Sequence, residues 1–301
     1  MRRAVLAAAL AAAGSWSQAA GPAAAPKPVV FKGAAVELST KDGWKLAAKH
    51  LAGKDGSLSF VLLHGTGGRK EDWVRMGNPL ARRGYGYLAV DLRAHGESRT
   101  APDGKPATWR KLVSTKAHND YLDMAADVEA AVAYLTAQGV PEERIAIIGA
   151  DVGSSLGLRY AALHPKVPLV ALLSPRMQYQ DVTAVNALRL YKDRPILMVY
   201  SEADKTTAKE VPVLKAFAEM AAGPQRVTVL VAPTEHGTKM LRGPVIGQLL
   251  DWIENPIKPE VPVSSGTVVS TGTAPAPSPA GQAQDAGEAP DPGEAPAAAQ
   301  E

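Results

Sequence analysis

Apolar residues recur along this chain as short continuous runs, separated by longer segments in which they are spaced three or four residues apart. The runs occupy 59–63, 85–90, 145–150, 169–173, 196–200 and 226–231. Runs of this length predict strands that are buried on both faces, and the segments between them predict helices. We therefore expect an α/β fold, with a mostly parallel twisted sheet and helices on both faces.

A different pattern precedes the first run. Polar and apolar residues alternate in Val36–Thr40 and again in Trp44–His50, and the Asp42-Gly43 pair lies between them. Alternation predicts strands with one exposed face, and Asp-Gly is typical of a tight hairpin turn. We expect an N-terminal antiparallel hairpin at one edge of the sheet.

The run that starts at Ile145 ends in the sequence Gly149-Ala150-Asp151-Val152-Gly153, and helical spacing follows at once. A turn this tight between strand and helix pushes the apex side chain, Asp151, into a strained and exposed position, while the flanking glycines avoid Cβ clashes. Two alternatives remain open. Asp151 could act only as a helix N-cap, or the overlapping pattern Gly153–Gly157 could make Ser155 the reactive residue.

Other polar residues follow the ends of the predicted strands. They are His64 with the glycines after it, Asp204, and His236 with Gly237. Sites in parallel sheets form at the carboxyl ends of the strands, so these residues are candidates for one shared site.

This combination resembles the α/β-hydrolase superfamily over Val36–Trp252. The stretch His64-Gly65 is similar to the oxyanion loop, and Asp91–Ser98 is similar to the Asp-x-Arg-Gly-His-Gly-x-Ser segment of the family. Asp151, Asp204 and His236 then follow the family order of nucleophile, acid and histidine.

The resemblance implies that Asp151, His236 and Asp204 form the catalytic set, and that the backbone N–H groups of Thr66 and Val152 bind the developing negative charge. Most members have serine where this chain has Asp151. Aspartate there is similar to haloalkane dehalogenases and epoxide hydrolases, in which a carboxylate attacks an sp³ carbon and His-activated water cleaves the resulting ester.

Those enzymes carry a helical cap, whereas 175–194 leaves room for little more than one helix. The cap-less layout is more similar to small secreted esterases and dienelactone-hydrolase-like proteins. We therefore expect a hydrolase of a small organic substrate that is ester-like, or epoxide-like or halide-like. The alternative is a catalytically silent binding protein on the same fold, which has lost the nucleophilic serine.

The two ends of the chain differ in composition from the part between them. Residues 1–19 resemble a secretory signal peptide, with cleavage after Ala19 and export to the periplasm or beyond. Residues 262–301 are rich in Pro, Ala and Gly and acidic, which predicts a disordered tail. The hydrolase domain is then expected at 27–257.

The formal net charge of +3 without a basic stripe argues against a nucleic-acid partner. No cofactor is expected, because the sequence shows neither a phosphate loop nor a cluster of metal ligands, and the absence of cysteine excludes a thiolate nucleophile. We expect a small-molecule substrate and no membrane span; the sequence leaves the oligomeric state open.

We predict that the exported protein starts at Ala20, because Ser17-Gln18-Ala19 provides the small residues that a signal peptidase requires. Intact-mass analysis of protein from the culture medium or periplasm tests this. An exported protein that retains Met1 would contradict the prediction.

Overall fold

The computed structural model describes residues 29–259. The predicted signal peptide (1–19) and the predicted tail (262–301) both lie outside the described residues. The described part carries the elements of the expected hydrolase domain.

Strands and helices alternate as the apolar pattern predicts. The strands are β1 (Ala34–Ser39), β2 (Lys45–Leu51), β3 (Ser59–Leu63), β4 (Gly86–Val90), β5 (Ile145–Ala150), β6 (Val170–Leu173), β7 (Gln178–Tyr179), β8 (Val182–Thr183), β9 (Ile196–Ser201) and β10 (Val227–Ala232). The helices are α1 (Val74–Arg83), α2 (Asp120–Asp123), α3 (Ala125–Ala137), α4 (Val152–Leu163), α5 (Val185–Tyr191), α6 (Lys205–Ala222) and α7 (Pro244–Glu254). A 3₁₀ turn at Lys70–Trp73 leads into α1, and another at Gly237–Met240 precedes α7.

One eight-stranded sheet has the order β1-β2-β4-β3-β5-β6-β9-β10. The β1–β2 and β2–β4 pairs are antiparallel, and the other neighbours are parallel. This confirms the predicted mostly parallel sheet and the antiparallel hairpin at its edge.

The central strands β3, β4, β5 and β6 are buried along their whole length, as their continuous apolar runs require. On one face they pack against α3 to α6 through residues such as Val128 and Leu156. On the other face they pack against α1 and α7 through residues such as Leu80 and Leu249. Helices therefore cover both faces, as predicted.

The segment between β6 and β9 is short. It holds only the two-residue strands β7 and β8, which pair with each other, and the seven-residue helix α5. No sizeable cap is present within residues 29–259, in agreement with the sequence. Within that range no helix is both long and apolar enough to cross a bilayer.

A buried ion pair connects the loops that follow β3 and β4. The Asp91 carboxylate is fully buried and accepts hydrogen bonds from the Lys70 backbone N–H at 2.6 Å and the Lys70 ammonium at 2.8 Å. It also accepts the Glu97 N–H at 2.8 Å. Because every bond is made to one rigid carboxylate, the loop between β3 and α1 is fixed relative to β4.

The crossing of β5 and α4 leaves no room for a side chain at Gly149. A Cβ there would lie 2.2 Å from the carbonyl oxygen of Gly153, whereas nothing lies within 4 Å of a Cβ at Gly247 on α7. We expect Gly149→Ala to lower the free energy of unfolding by about 1–3 kcal/mol, as overpacking does. Gly247→Ala should be neutral or stabilising by up to about 1 kcal/mol. Urea denaturation measures both, and equal midpoints would contradict the prediction.

Candidate active site

Asp151 lies at the turn between β5 and α4. Its backbone has φ 53° and ψ −118°, a conformation that side-chain-bearing residues rarely adopt and that is stabilised here by the surrounding fold. The residue is 8% exposed, so the predicted strain is present but the predicted exposure is wrong, because the neighbouring loops enclose the turn. A Cβ at Gly65 would lie 2.8 Å from the Asp151 Cβ, so the loop after β3 can approach the apex only because Gly65 lacks a side chain.

The two oxygens of the Asp151 carboxylate face different partners. Oδ2 accepts a hydrogen bond from the Thr66 backbone N–H at 3.2 Å. Oδ1 lies 3.7 Å from His236 Nε2, a separation that suits an ion pair and is too long for a hydrogen bond. The Val152 N–H, at the start of α4, makes no bond to this carboxylate among the described residues.

Asp204 lies on the other side of the histidine ring. His236 Nδ1 donates to Asp204 Oδ2 at 2.6 Å. The second oxygen of Asp204 accepts the backbone N–H groups of Thr206 at 3.2 Å and Thr207 at 3.3 Å, so Asp204 is also the N-cap of α6. The cap fixes the carboxylate, and the carboxylate in turn fixes the orientation of the imidazole.

Asp151 and Asp204 shift the pKa of His236, and His236 shifts the pKa of Asp204. The pKa of His236 is raised, first by the Asp151 carboxylate and then by Asp204, and together they outweigh the opposing effect of burial. Burial would raise the pKa of Asp204, but hydrogen bonds from His236 and Thr207 outweigh it, and the net pKa is lowered. The imidazolium form of His236 is therefore favoured between the two carboxylates.

Ser155 occupies a different place. It lies inside α4, is 2% exposed, and its hydroxyl has no hydrogen-bond partner among residues 29–259. The structure thus brings Asp151, His236 and Asp204 together and leaves Ser155 in the packed interior of the helix.

Two buried histidines, His64 and His95, lie next to each other at the start of the loop that carries Thr66, and His64 is bonded to that loop. His64 Nδ1 donates to the Gly65 carbonyl at 2.7 Å, while its Nε2 accepts the Leu92 N–H at 3.1 Å. His95 lies beside it, with ring centroids 5.0 Å apart, and burial lowers the pKa of His95 to about 4. Both rings are therefore neutral structural groups.

Two tyrosines near Asp151 carry no signal in the sequence beyond being aromatic. Tyr179 comes from the short β7 and contacts Tyr121 edge to face, with ring centroids 5.9 Å apart. Burial raises the pKa of Tyr179. The nearby Thr66 hydroxyl lowers this pKa, and the Asp151 carboxylate raises it. Arg176, which follows β6, lies over the Tyr179 ring at 5.8 Å and forms no ion pair with Asp151.

An open cleft of about 250 Å³ reaches Asp151 and His236 from solvent. Its other walls are the glycine-rich loop after β3 and the turn after His236, with Asp72 and Lys239 as the additional charged groups. His236 retains 46% exposure of its side chain, so a small molecule and water can both reach it. The volume lies near the lower end of the range of small-molecule sites.

Metal-ligand spacing occurs in one surface cluster of the described residues, formed by His118, Asp120 and Asp123. These residues do not line the cleft, and His118 Nε2 already contacts Asp120 at 2.8 Å. The residues at Asp151 hold no set of ligands that would suit a metal ion.

Comparison with known families gives a match to the model of the α/β-hydrolase fold over residues 59–202. That range begins at β3 and ends just beyond β9, and it includes Asp151. A sequence comparison with curated proteins gave no significant match.

Comparison with solved structures gives many similar folds. An esterase of Pyrococcus furiosus is 20% identical, with a TM-score of 0.58 over 75% of this chain and 93% of its own. A dienelactone hydrolase of Anabaena variabilis is 18% identical, with a TM-score of 0.55 over 75% and 99%. A carboxyl esterase of Bacillus coagulans is 12% identical, with a TM-score of 0.60 over 74% and 98%. At these identities the likeness shows the fold alone.

We predict that Asp151→Asn lowers the pKa of His236, because it removes the largest favourable interaction of the imidazolium. NMR titration of the imidazole resonances measures the shift. Asp72→Asn is the matched control, since Asp72 lines the same cleft but does not act on His236. Equal titration curves for the wild type and Asp151→Asn would contradict the prediction.

Proposed function

We propose that this chain, which belongs to the α/β-hydrolase superfamily, hydrolyses small organic molecules with Asp151 as the nucleophile, His236 as the base and Asp204 as the residue that orients the base. The proposal rests on the position of the Asp151 carboxylate, which lies between the Thr66 N–H and His236. The Asp204 carboxylate fixes the orientation of that histidine. A helix cap alone requires neither partner.

The chemistry of the nucleophile narrows the substrate class. A carboxylate is already ionised and attacks without a base, so it suits an sp³ carbon that bears a leaving group, as in an epoxide, an alkyl halide or an alkyl ester. Attack on an acyl carbon would instead form a mixed anhydride. The esterases and the dienelactone hydrolase among the similar folds support an ester-like substrate as the broader class.

The orientation of the carboxylate assigns its oxygens. Because Oδ2 is held by the Thr66 N–H, Oδ1 attacks the carbon, and the leaving group departs with the electron pair of the broken bond. The product of this step is an ester on Asp151, whose carbonyl oxygen is Oδ2. The Thr66 N–H then faces the oxygen that becomes negative when water adds, and the Val152 N–H, the next backbone amide after Asp151, is proposed as the second donor.

Water must then cleave that ester. Esterification removes the charge of Asp151, which is the largest cause of the raised pKa of His236, so the pKa falls and the neutral imidazole forms more readily. Neutral His236 takes a proton from water, the hydroxide adds to Cγ of Asp151, and the bond from Cγ to Oδ1 breaks. His236 returns the proton to the departing alkoxide, and the Asp151 carboxyl group loses the second proton of the added water to solvent, which regenerates the carboxylate.

The silent binding protein is the second candidate, and one observation favours it. His236 lies between two carboxylates, and no serine within residues 29–259 forms a hydrogen bond with its ring. In that case the wild type would turn over none of these substrates, while Asp151→Ser would complete a serine triad and gain esterase activity.

We predict that His236→Ala still forms the ester on Asp151 and fails to release it, because only the second step requires a base. Mass spectrometry after incubation with an epoxide, a haloalkane or an ester should show the adduct on the peptide that contains Asp151. Ser155→Ala is the matched control and should turn over like the wild type. An adduct on Ser155, or undiminished turnover in Asp151→Asn, would refute the proposal.

A single turnover in ¹⁸O-labelled water separates this route from direct attack of water on the substrate. In the proposed route the label enters Asp151 and the product takes its oxygen from Oδ1. Label found in the product and absent from Asp151 would contradict the covalent route.

A further inference from the structure

The cleft at Asp151 continues past the reacting groups. A second depression of about 300 Å³ adjoins it, and the two share Asp72, Thr238 and Lys239 as walls. Arg75 and Arg242 line the far end. One groove thus runs from the nucleophile, between the start of α1 and the turn after His236, to a group of cations.

The acidic side chains of this far end already have partners. Glu71 lies 3.3 Å from the Lys70 ammonium, and Asp72 accepts the Arg69 backbone N–H at 3.0 Å. These carboxylates are therefore occupied by their own loop.

The cations differ in this respect. Arg75 and Lys239 take part in no ion pair within residues 29–259, and Arg242 has only a long contact of 3.7 Å to Glu235. We call Arg75, Lys239 and Arg242 the cationic end of the groove. Glu71 and Asp72 line the same depression, so its three cations and two carboxylates carry a formal net charge of +1.

We propose that the cationic end binds an anionic oxygen group of the substrate, such as a carboxylate, at the end of the molecule remote from the reacting carbon. The inference rests on the proposed function, because Asp151 fixes the position of the reacting carbon. An anion beside Asp151 itself would be repelled, whereas an anion at the far end gains charge-assisted hydrogen bonds from arginine and lysine. The same charges attract an anionic substrate into the groove.

Matched pairs of substrates test the inference. 5-Bromopentanoate is compared with neutral 5-bromopentanamide, and the para-carboxylate of styrene oxide is compared with styrene oxide. We expect kcat/KM to be higher for the anionic member of whichever pair is hydrolysed. The preference should fall as salt is added, because exposed charges are screened.

Variants identify the residues responsible. Lys239→Gln and Arg75→Gln should each lower the ratio of kcat/KM for the anionic substrate to kcat/KM for the neutral one about three- to tenfold, the range expected for exposed charge-assisted contacts. Arg82→Gln is the matched control, since Arg82 lies on the same helix and does not line the groove. Thermal unfolding checks that all variants are folded.

A binding measurement keeps the inference separate from catalysis. Calorimetric titration of the wild type with glutarate, and with neutral glutaramide as reference, should show binding of glutarate alone, weakened in Lys239→Gln. If no substrate is hydrolysed but glutarate binds in this way, the proposed function fails and the anion site stands. The inference is overturned by equal kcat/KM within a pair, by a loss of anion preference in Arg82→Gln equal to that in Lys239→Gln, or by the absence of glutarate binding.

Discussion

The site depends on one backbone constraint, which is the close approach of three chain segments around Asp151. A Cβ at Gly149 would collide with the Gly153 carbonyl, a Cβ at Gly153 would lie 2.4 Å from the Leu63 carbonyl, and a Cβ at Gly65 would lie 2.8 Å from the Asp151 Cβ. The absence of side chains at these positions lets β3, β5 and α4 meet. That packing holds Asp151 in a strained conformation and places the Thr66 N–H against its carboxylate.

The electrostatic interactions of Asp151 depend on this packing. His236 is fixed by Asp204, which is fixed by the first turn of α6, so the ring has one orientation relative to Asp151. The same geometry makes the protonation of His236 depend on the charge of Asp151. In the proposed reaction, the loss of the Asp151 charge in the ester intermediate would therefore determine when His236 acts as a base.

The surroundings explain why the site is open. In place of a cap, the chain has only the β7–β8 turn and α5, and these bring Tyr179 and Arg176 near the site without covering it. The side chain of His236 stays 46% exposed as a result. Under the proposed function, substrate selection then depends on the walls of the groove, where Arg75 and Lys239 lie.

The sequence alone determined the order of strands and helices, because continuous apolar runs and helical spacing are local signals that the sheet preserves. It also singled out Asp151, Asp204 and His236 as candidates for one shared site, because glycine spacing and positions at strand ends can be read without knowing how the chain packs. The tertiary structure decided what the chain order leaves open: that Asp204 caps α6 while binding His236, that Ser155 is enclosed in a helix, and that Tyr179 lies near Asp151. Only the tertiary structure shows that Arg75 of α1 and Lys239 line the same groove. Proximity of distant segments depends on how the helices pack across the sheet and leaves no local signal in the sequence.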